Sequence, residues 1–137
     1  MSLISSKGIY GLSAMYELSL RNSSNPTQIR DISNKAQIPQ NYLEQLLVIL
    51  RRAELVTSVR GAHGGYFLSK SADQIFVKDI LIALEGNMNV VNTKINNPVL
   101  ELFYEESNEK LKNIFNLTLA DLQEYENKLT TQIHYSI

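Results

Sequence analysis

The sequence predicts a mainly α-helical chain with one small β-hairpin: a helix-turn-helix followed by the hairpin, then a long amphipathic helix. Three observations carry this. Gly61, Gly64 and Gly65 lie between two short β-prone runs. A helix with an unbroken leucine stripe ends at Leu50-Arg51-Arg52, just before them. From Val99 to Leu117 apolar residues recur at helical spacing.

From the N-terminus, Ser6 to Arg21 is expected to be helical, with Ile9, Leu12, Met15 (or Tyr16) and Ser19 or Leu20 on one face. Asn22-Ser-Ser-Asn-Pro26 breaks it. Thr27 is placed to cap a second short helix, Gln28 to Lys35, whose Ile29, Ile32 and Ala36 face inward. Gln37-Ile38 turns the chain, and Pro39 suits the first turn of a third helix, Pro39 to Ala53, where no amide is needed. In that helix Leu43, Leu46, Leu47 and Leu50 share one stripe; Asn41, Glu44, Gln45, Val48 and Arg52 lie opposite.

Val56, Ser58 and Arg60 then alternate with Thr57 and Val59, and Tyr66 to Ser69 forms the return strand. The glycines of the tip supply the backbone freedom the reversal needs. Val77 to Leu84 is a fourth helix, ended by Glu85-Gly86, and Asn87 to Pro98 is an aperiodic, Asn-rich connector. The long helix carries Leu100, Phe103 (or Tyr104), Ser107, Leu111 and Ile114 (or Phe115) on one stripe. Thr118 with Asp121 forms a capping box for a last helix aligning Leu122, Tyr125 and Leu129. The expected organisation is a DNA-binding domain over 1–86, a connector over 87–98, and a dimerisation helix with C-terminal helix and tail over 99–137.

A glycine-tipped hairpin beside a helix-turn-helix reads as the wing of a winged-helix DNA-binding module. Amides at Asn41 and Gln45 can pair with adenine, and Glu44 can accept from cytosine N4. Arg51 and Arg52 stand where phosphates would pass. Arg60, flanked by Gly61, is the candidate for a narrow minor groove, where negative potential is strongest. His63 at the tip is either a groove or phosphate contact or simply a turn residue. Lys7 and Lys70 are candidate phosphate contacts, which set position and salt dependence but not sequence.

No core remains for the long helix to cover, so Leu100, Phe103, Leu111 and Ile114 are expected to meet their twins in a second copy; folding back on its own domain is the alternative. Two-fold symmetry would match a palindromic site with half-sites about one turn, ~34 Å, apart.

The 137 residues are 44% hydrophobic, enough for one core. A net charge of −1 is unevenly spread: residues 1–80 carry +3 and residues 81–137 carry −4. There is no cysteine, which excludes disulfides, thiolate metal sites and cysteine-ligated clusters. The opening Met-Ser-Leu-Ile-Ser-Ser-Lys is too short and polar for a secretory signal. The longest uncharged apolar run, Leu46 to Leu50, is far below the roughly 20 residues that span a bilayer. A soluble, cytoplasmic protein without membrane contact is expected. His63 and His134 lack metal-ligand spacing, and Glu105-Glu106 reads as a solvated pair. With no P-loop, dinucleotide fingerprint or nucleophile elbow, neither an enzyme nor a cofactor is expected.

Several segments together resemble the Rrf2-type winged-helix regulators of bacteria: Ser6-Lys7-Gly8-Ile9-Tyr10-Gly11-Leu12, Tyr42-Leu43-Glu44-Gln45-Leu46, Leu55 to Tyr66, Leu84-Glu85-Gly86, and Thr118 to Leu122. The wing segment is the most specific. The resemblance implies a homodimer with crossed long helices on a palindromic operator. It places Gln40, Asn41, Glu44 and Gln45 in the major groove and Arg60 in the minor groove. Many members sense through a cluster held by three cysteines between the fourth and long helices; here that stretch is short and cysteine-free.

Within that family the chain resembles a cluster-free branch that represses cysteine metabolism together with cysteine synthase. That enzyme accepts a terminal isoleucine carboxylate, and this chain ends His134-Tyr135-Ser136-Ile137. The resemblance thus implies a repressor sensing a metabolite or partner, with Tyr135, Ser136 and Ile137 as a partner-binding tail. The rivals are an interaction module with little DNA binding, and a regulator whose ligand sits between the long helix and the winged domain.

Overall fold

The computed structural model describes residues 2–21 and 24–136. Asn22 and Ser23, within the expected break, and Ile137, of the expected tail, lie outside the described residues. The elements run α1 (Ser6–Ser19), α2 (Ile29–Ala36), α3 (Gln40–Arg52), β1 (Val56–Val59), β2 (Gly65–Leu68), α4 (Val77–Glu85), α5 (Pro98–Ile114), α6 (Leu119–Leu122) and α7 (Glu124–Ser136). A 3-10 turn at Ala72–Gln74, not foreseen, joins β2 to α4. The strands pair antiparallel, Val56 opposite Leu68 and Val59 opposite Gly65.

The leucine stripe of α3 is the centre of the core: Leu43, Leu46, Leu47 and Leu50 are all buried. Each such side chain contributes about 2 kcal/mol on leaving water. Met15, Ile32, Ile80 and Leu84 from α1, α2 and α4 pack around them, and the Tyr10 and Tyr42 rings meet edge to face at 5.6 Å. Two left-handed residues turn the chain around α3: Gln37 (φ 54°) ends α2, and Glu54 (φ 63°) leads into β1.

Four expectations are corrected. The buried face of α1 is Gly8, Gly11, Ala14, Met15 and Leu18, whereas Ile9 and Leu20 are exposed. Gly8 and Gly11 let α1 approach α4 so closely that a Cβ at either would collide with α4 side chains, Glu85 or Leu84. Thr27 does not cap α2, since Gln28 holds the N-cap position. Thr27 instead pairs with Tyr66, donating N–H to its carbonyl (3.0 Å) and accepting from its N–H (2.8 Å), and so adds a strap to the wing.

α5 starts earlier and stops earlier than expected. The Asn97 side chain caps it by accepting from the Val99 and Leu100 amides (2.9 and 3.3 Å). After Ile114 the chain returns to the winged domain: the Val77 amide donates to Leu117 O (2.8 Å), the Leu119 amide to Ile75 O (2.9 Å), and Leu119 is fully buried. The reciprocal Thr118–Asp121 capping box forms as expected, but the helix it opens is only α6, and α7 follows as a separate element.

Candidate nucleic-acid interface

With its leucines buried, α3 turns Gln40, Asn41, Glu44 and Gln45 to the surface near its N-terminal end, and Arg51 and Arg52 at its last turn. The turn at Glu54 aims the chain from α3 straight into β1, so the wing stands beside this helix. Its tip holds Arg60, Gly61 and His63, all exposed. Gly61 adopts φ 110°, a region that side chains avoid, with open space around it. Gly65 (φ 155°) lies so close to Thr27 that a Cβ there would collide with the Thr27 carbonyl.

The wing is tied at three places. Thr27 pairs with Tyr66, the Gln28 side-chain amide donates to Ala62 O (3.3 Å), and the Arg51 guanidinium donates to Ser58 Oγ (3.5 Å). An open concavity of about 560 Å³ lies between wing and helices, where Gln40, Arg51, Arg60 and Gly61 come together. Gln28 and Arg30, which the sequence did not single out, also line it. No local signal marks them; the long-range Thr27–Tyr66 pairing brings the start of α2 beside the wing.

Other candidates lie apart from that concavity. Lys7 is exposed in the first turn of α1, and Lys70 borders a separate hollow with Leu18, Asn25 and Phe67. Of the α5 candidates, Leu100, Phe103 and Ile114 are exposed. Leu111 is half-buried and borders a small cavity with Leu3, Ile4 and Leu81 of the winged domain. Tyr135 and Ser136 belong to the last turn of α7.

A family model, Rrf2, described as "Iron-dependent Transcriptional regulator", matches residues 4–132. The chain belongs to the Rrf2 family. It is 37% identical to the HTH-type transcriptional regulator CymR of Bacillus subtilis (strain 168) over 124 residues, 89% of this chain and 90% of that one. It is 42% identical to the regulator IscR of Cronobacter sakazakii over 86 residues, 63% of this chain and 53% of that one. The solved structure of CymR, the "Global Cysteine Regulator of B. subtilis", superposes with a TM-score of 0.81 at 37% identity, covering 91% of this chain and 98% of that one. T. potens IscR gives 0.75 at 34% identity, covering 90% and 87%.

This Rrf2 chain is therefore a winged-helix, DNA-binding transcriptional regulator and not an enzyme. Its residues do not fit the iron in the family description. It has no cysteine, and among the described residues no three His, Asp or Glu side chains gather to hold a metal. Among the described residues no helix is long and apolar enough to cross a membrane.

Proposed function

We propose that this regulator is a cytoplasmic homodimer that represses transcription from a palindromic operator. Gln40, Asn41, Glu44 and Gln45 read the major groove, and Arg60 enters the minor groove. Arg51, Arg52, His63, Lys7 and Lys70 contact phosphates. The observation that carries this reading is the side-by-side placement of the exposed polar face of α3 and the exposed, strapped wing arginine.

Dimerisation is supported by α5, a helix of 17 residues with none buried. An apolar groove of about 590 Å³ between α1 and α7, lined by Ile9, Leu12, Tyr16, Leu122, Tyr125 and Leu129, is open as well. A second copy related by a two-fold axis would cover both surfaces, leaving two recognition helices to meet two half-sites.

Similarity to a protein named a global cysteine regulator supports a link to sulfur supply. In the finer form of the proposal the signal reaches this chain through cysteine synthase bound by Tyr135, Ser136 and Ile137. Deleting Ile137 is then expected to abolish that binding and leave the dimer intact. A small metabolite is the second reading, favoured by the cavity of about 200 Å³ between Leu81, Glu85, Met88 and Leu111. Thermal stabilisation by a metabolite with no partner present would select it.

The experiment is selection of fragments of the organism's own genome by the purified protein, followed by sequencing. An enriched palindrome whose affinity falls steeply with salt is expected. No enrichment, at low salt and with cysteine synthase added, would leave an interaction module and refute the operator.

A further inference from the structure

We infer that α2 is a third arm of the interface: Arg30 joins Arg51 in a clamp for one stretch of duplex phosphate backbone, beside the groove that Arg60 enters. This rests on the DNA-binding reading above and extends it to a helix that reading leaves idle.

Three elements each contribute one arginine to the lining of the same concavity: Arg30 from α2, Arg51 from α3 and Arg60 from the wing. No carboxylate lines it, and Asp31, the neighbouring acid, is not among the lining residues. None of the three arginines is in an ion pair among the described residues. Like charges gathered without a counter-charge repel one another, and an anion received among them relieves this. The neutral lining groups, Gln28, Gln40 and Ser58, add hydrogen-bonding capacity of the kind phosphate oxygens use.

The arms are also fixed relative to one another. The Thr27–Tyr66 pair and the Gln28–Ala62 hydrogen bond fasten the start of α2 to the wing, and Arg30 lies two residues beyond Gln28. The Arg51–Ser58 hydrogen bond fastens the end of α3 to β1 of the same wing. Arginine's planar fork suits phosphate oxygens in such a held geometry. The concavity includes Gln40, the first residue of the exposed face of α3. A strand lying in it would therefore continue toward the groove that α3 enters, which fits a duplex backbone better than a free anion.

The clamp is tested by titrating wild type, Arg30→Ala, Arg30→Lys and Arg60→Ala against a labelled duplex of arbitrary sequence, long enough for one dimer, across a salt series. Phosphate contacts do not depend on sequence, so no operator is needed. Arg30→Ala is expected to reduce the slope of log affinity against log salt by about 1 per protomer. Arg30→Lys keeps the charge and should keep the slope. Because Arg30 is exposed, melting curves should match wild type, which separates lost contact from lost fold. An Arg30→Ala slope equal to wild type overturns the clamp while DNA binding stands. A wild-type protein without salt-dependent binding overturns both together.

Discussion

A β-carbon at Gly65 would have to occupy the space of the Thr27 carbonyl. Gly65→Ala must therefore push the wing off its strap, losing the two Thr27–Tyr66 hydrogen bonds and adding strain at φ 155°. The expected cost is about 2 kcal/mol, several degrees in thermal midpoint, with a further loss of DNA affinity because Arg60 moves with the wing. Gly61→Ala meets strain at φ 110° but no neighbour, so its midpoint should fall less. Equal midpoints for the two variants would refute this account of the strap. Tyr16 offers a test of the α1–α7 contact. Burial, then the hydrogen-bonding carboxylate of Glu126, then the charge of Glu17, hold its hydroxyl above the usual 10.0. The native state binds this proton more tightly than the unfolded chain. Its contribution is complete below pH 10.0 and is lost as pH rises through the raised native value. Tyr16→Phe should flatten the decline in stability above pH 10.0. An alkaline limb parallel to wild type would show that the contact is not made.

Glu85 explains why two distant segments of the chain read as one signature. At the end of α4 its carboxylate accepts from the Ser5 amide (2.8 Å), the Ser5 hydroxyl (2.8 Å) and the Gly8 amide (3.1 Å). It thus caps α1 from another element, beside the helix's positive end. Glu85→Ala should cost about 1–2 kcal/mol in denaturant unfolding, with Glu85→Gln intermediate. No change in either would deny the cap its role. The sequence offered Ser6-Lys7-Gly8 and Leu84-Glu85-Gly86 as separate pieces of a resemblance, and only the fold shows that they touch. α3 was legible because its signal is local: four leucines at helical spacing against a polar face. The hairpin was legible because its glycines mark the turn. The face of α1 was misassigned because Gly8, Gly11 and Ala14 carry little hydropathy, yet their smallness is what lets α4 close on them. Thr27 has the side chain of a cap, but its backbone was claimed by Tyr66, nearly forty positions away. Arg30 was missed for the same reason.

At the scale of the whole molecule, the described residues close one core and leave α5 and α7 outside it. Leu119 completes the winged domain, while α5, between the connector and that return, presents Val99, Leu102, Phe103 and Ile114 to solvent, with Phe103 57% exposed. The connector lies along this helix, where the Val90 amide donates to Asn108 Oδ1 (2.7 Å). Beside it Val99, Leu102, Phe103 and Ile114 stay exposed. Separately placed exposed hydrophobics are ordinary on a monomer; Val99, Leu100, Leu102, Phe103 and Ile114 exposed on one helix that buries none of its residues are what an association surface would present. If the second copy covers it, folding and association are linked, and the thermal midpoint of wild type should rise with protein concentration. Phe103→Glu combined with Ile114→Glu places charge in that interface at positions already in water, so the monomer's own core loses nothing. Sedimentation should give twice the chain mass for wild type and a single chain for the variant, whose midpoint should no longer depend on concentration. Binding to a palindrome should then weaken by about 10²-fold or more, toward the affinity for one half-site, because the second half-site no longer benefits from effective concentration. A variant that stays dimeric would place the interface elsewhere, and the spacing of the two recognition helices would have to be set by other elements.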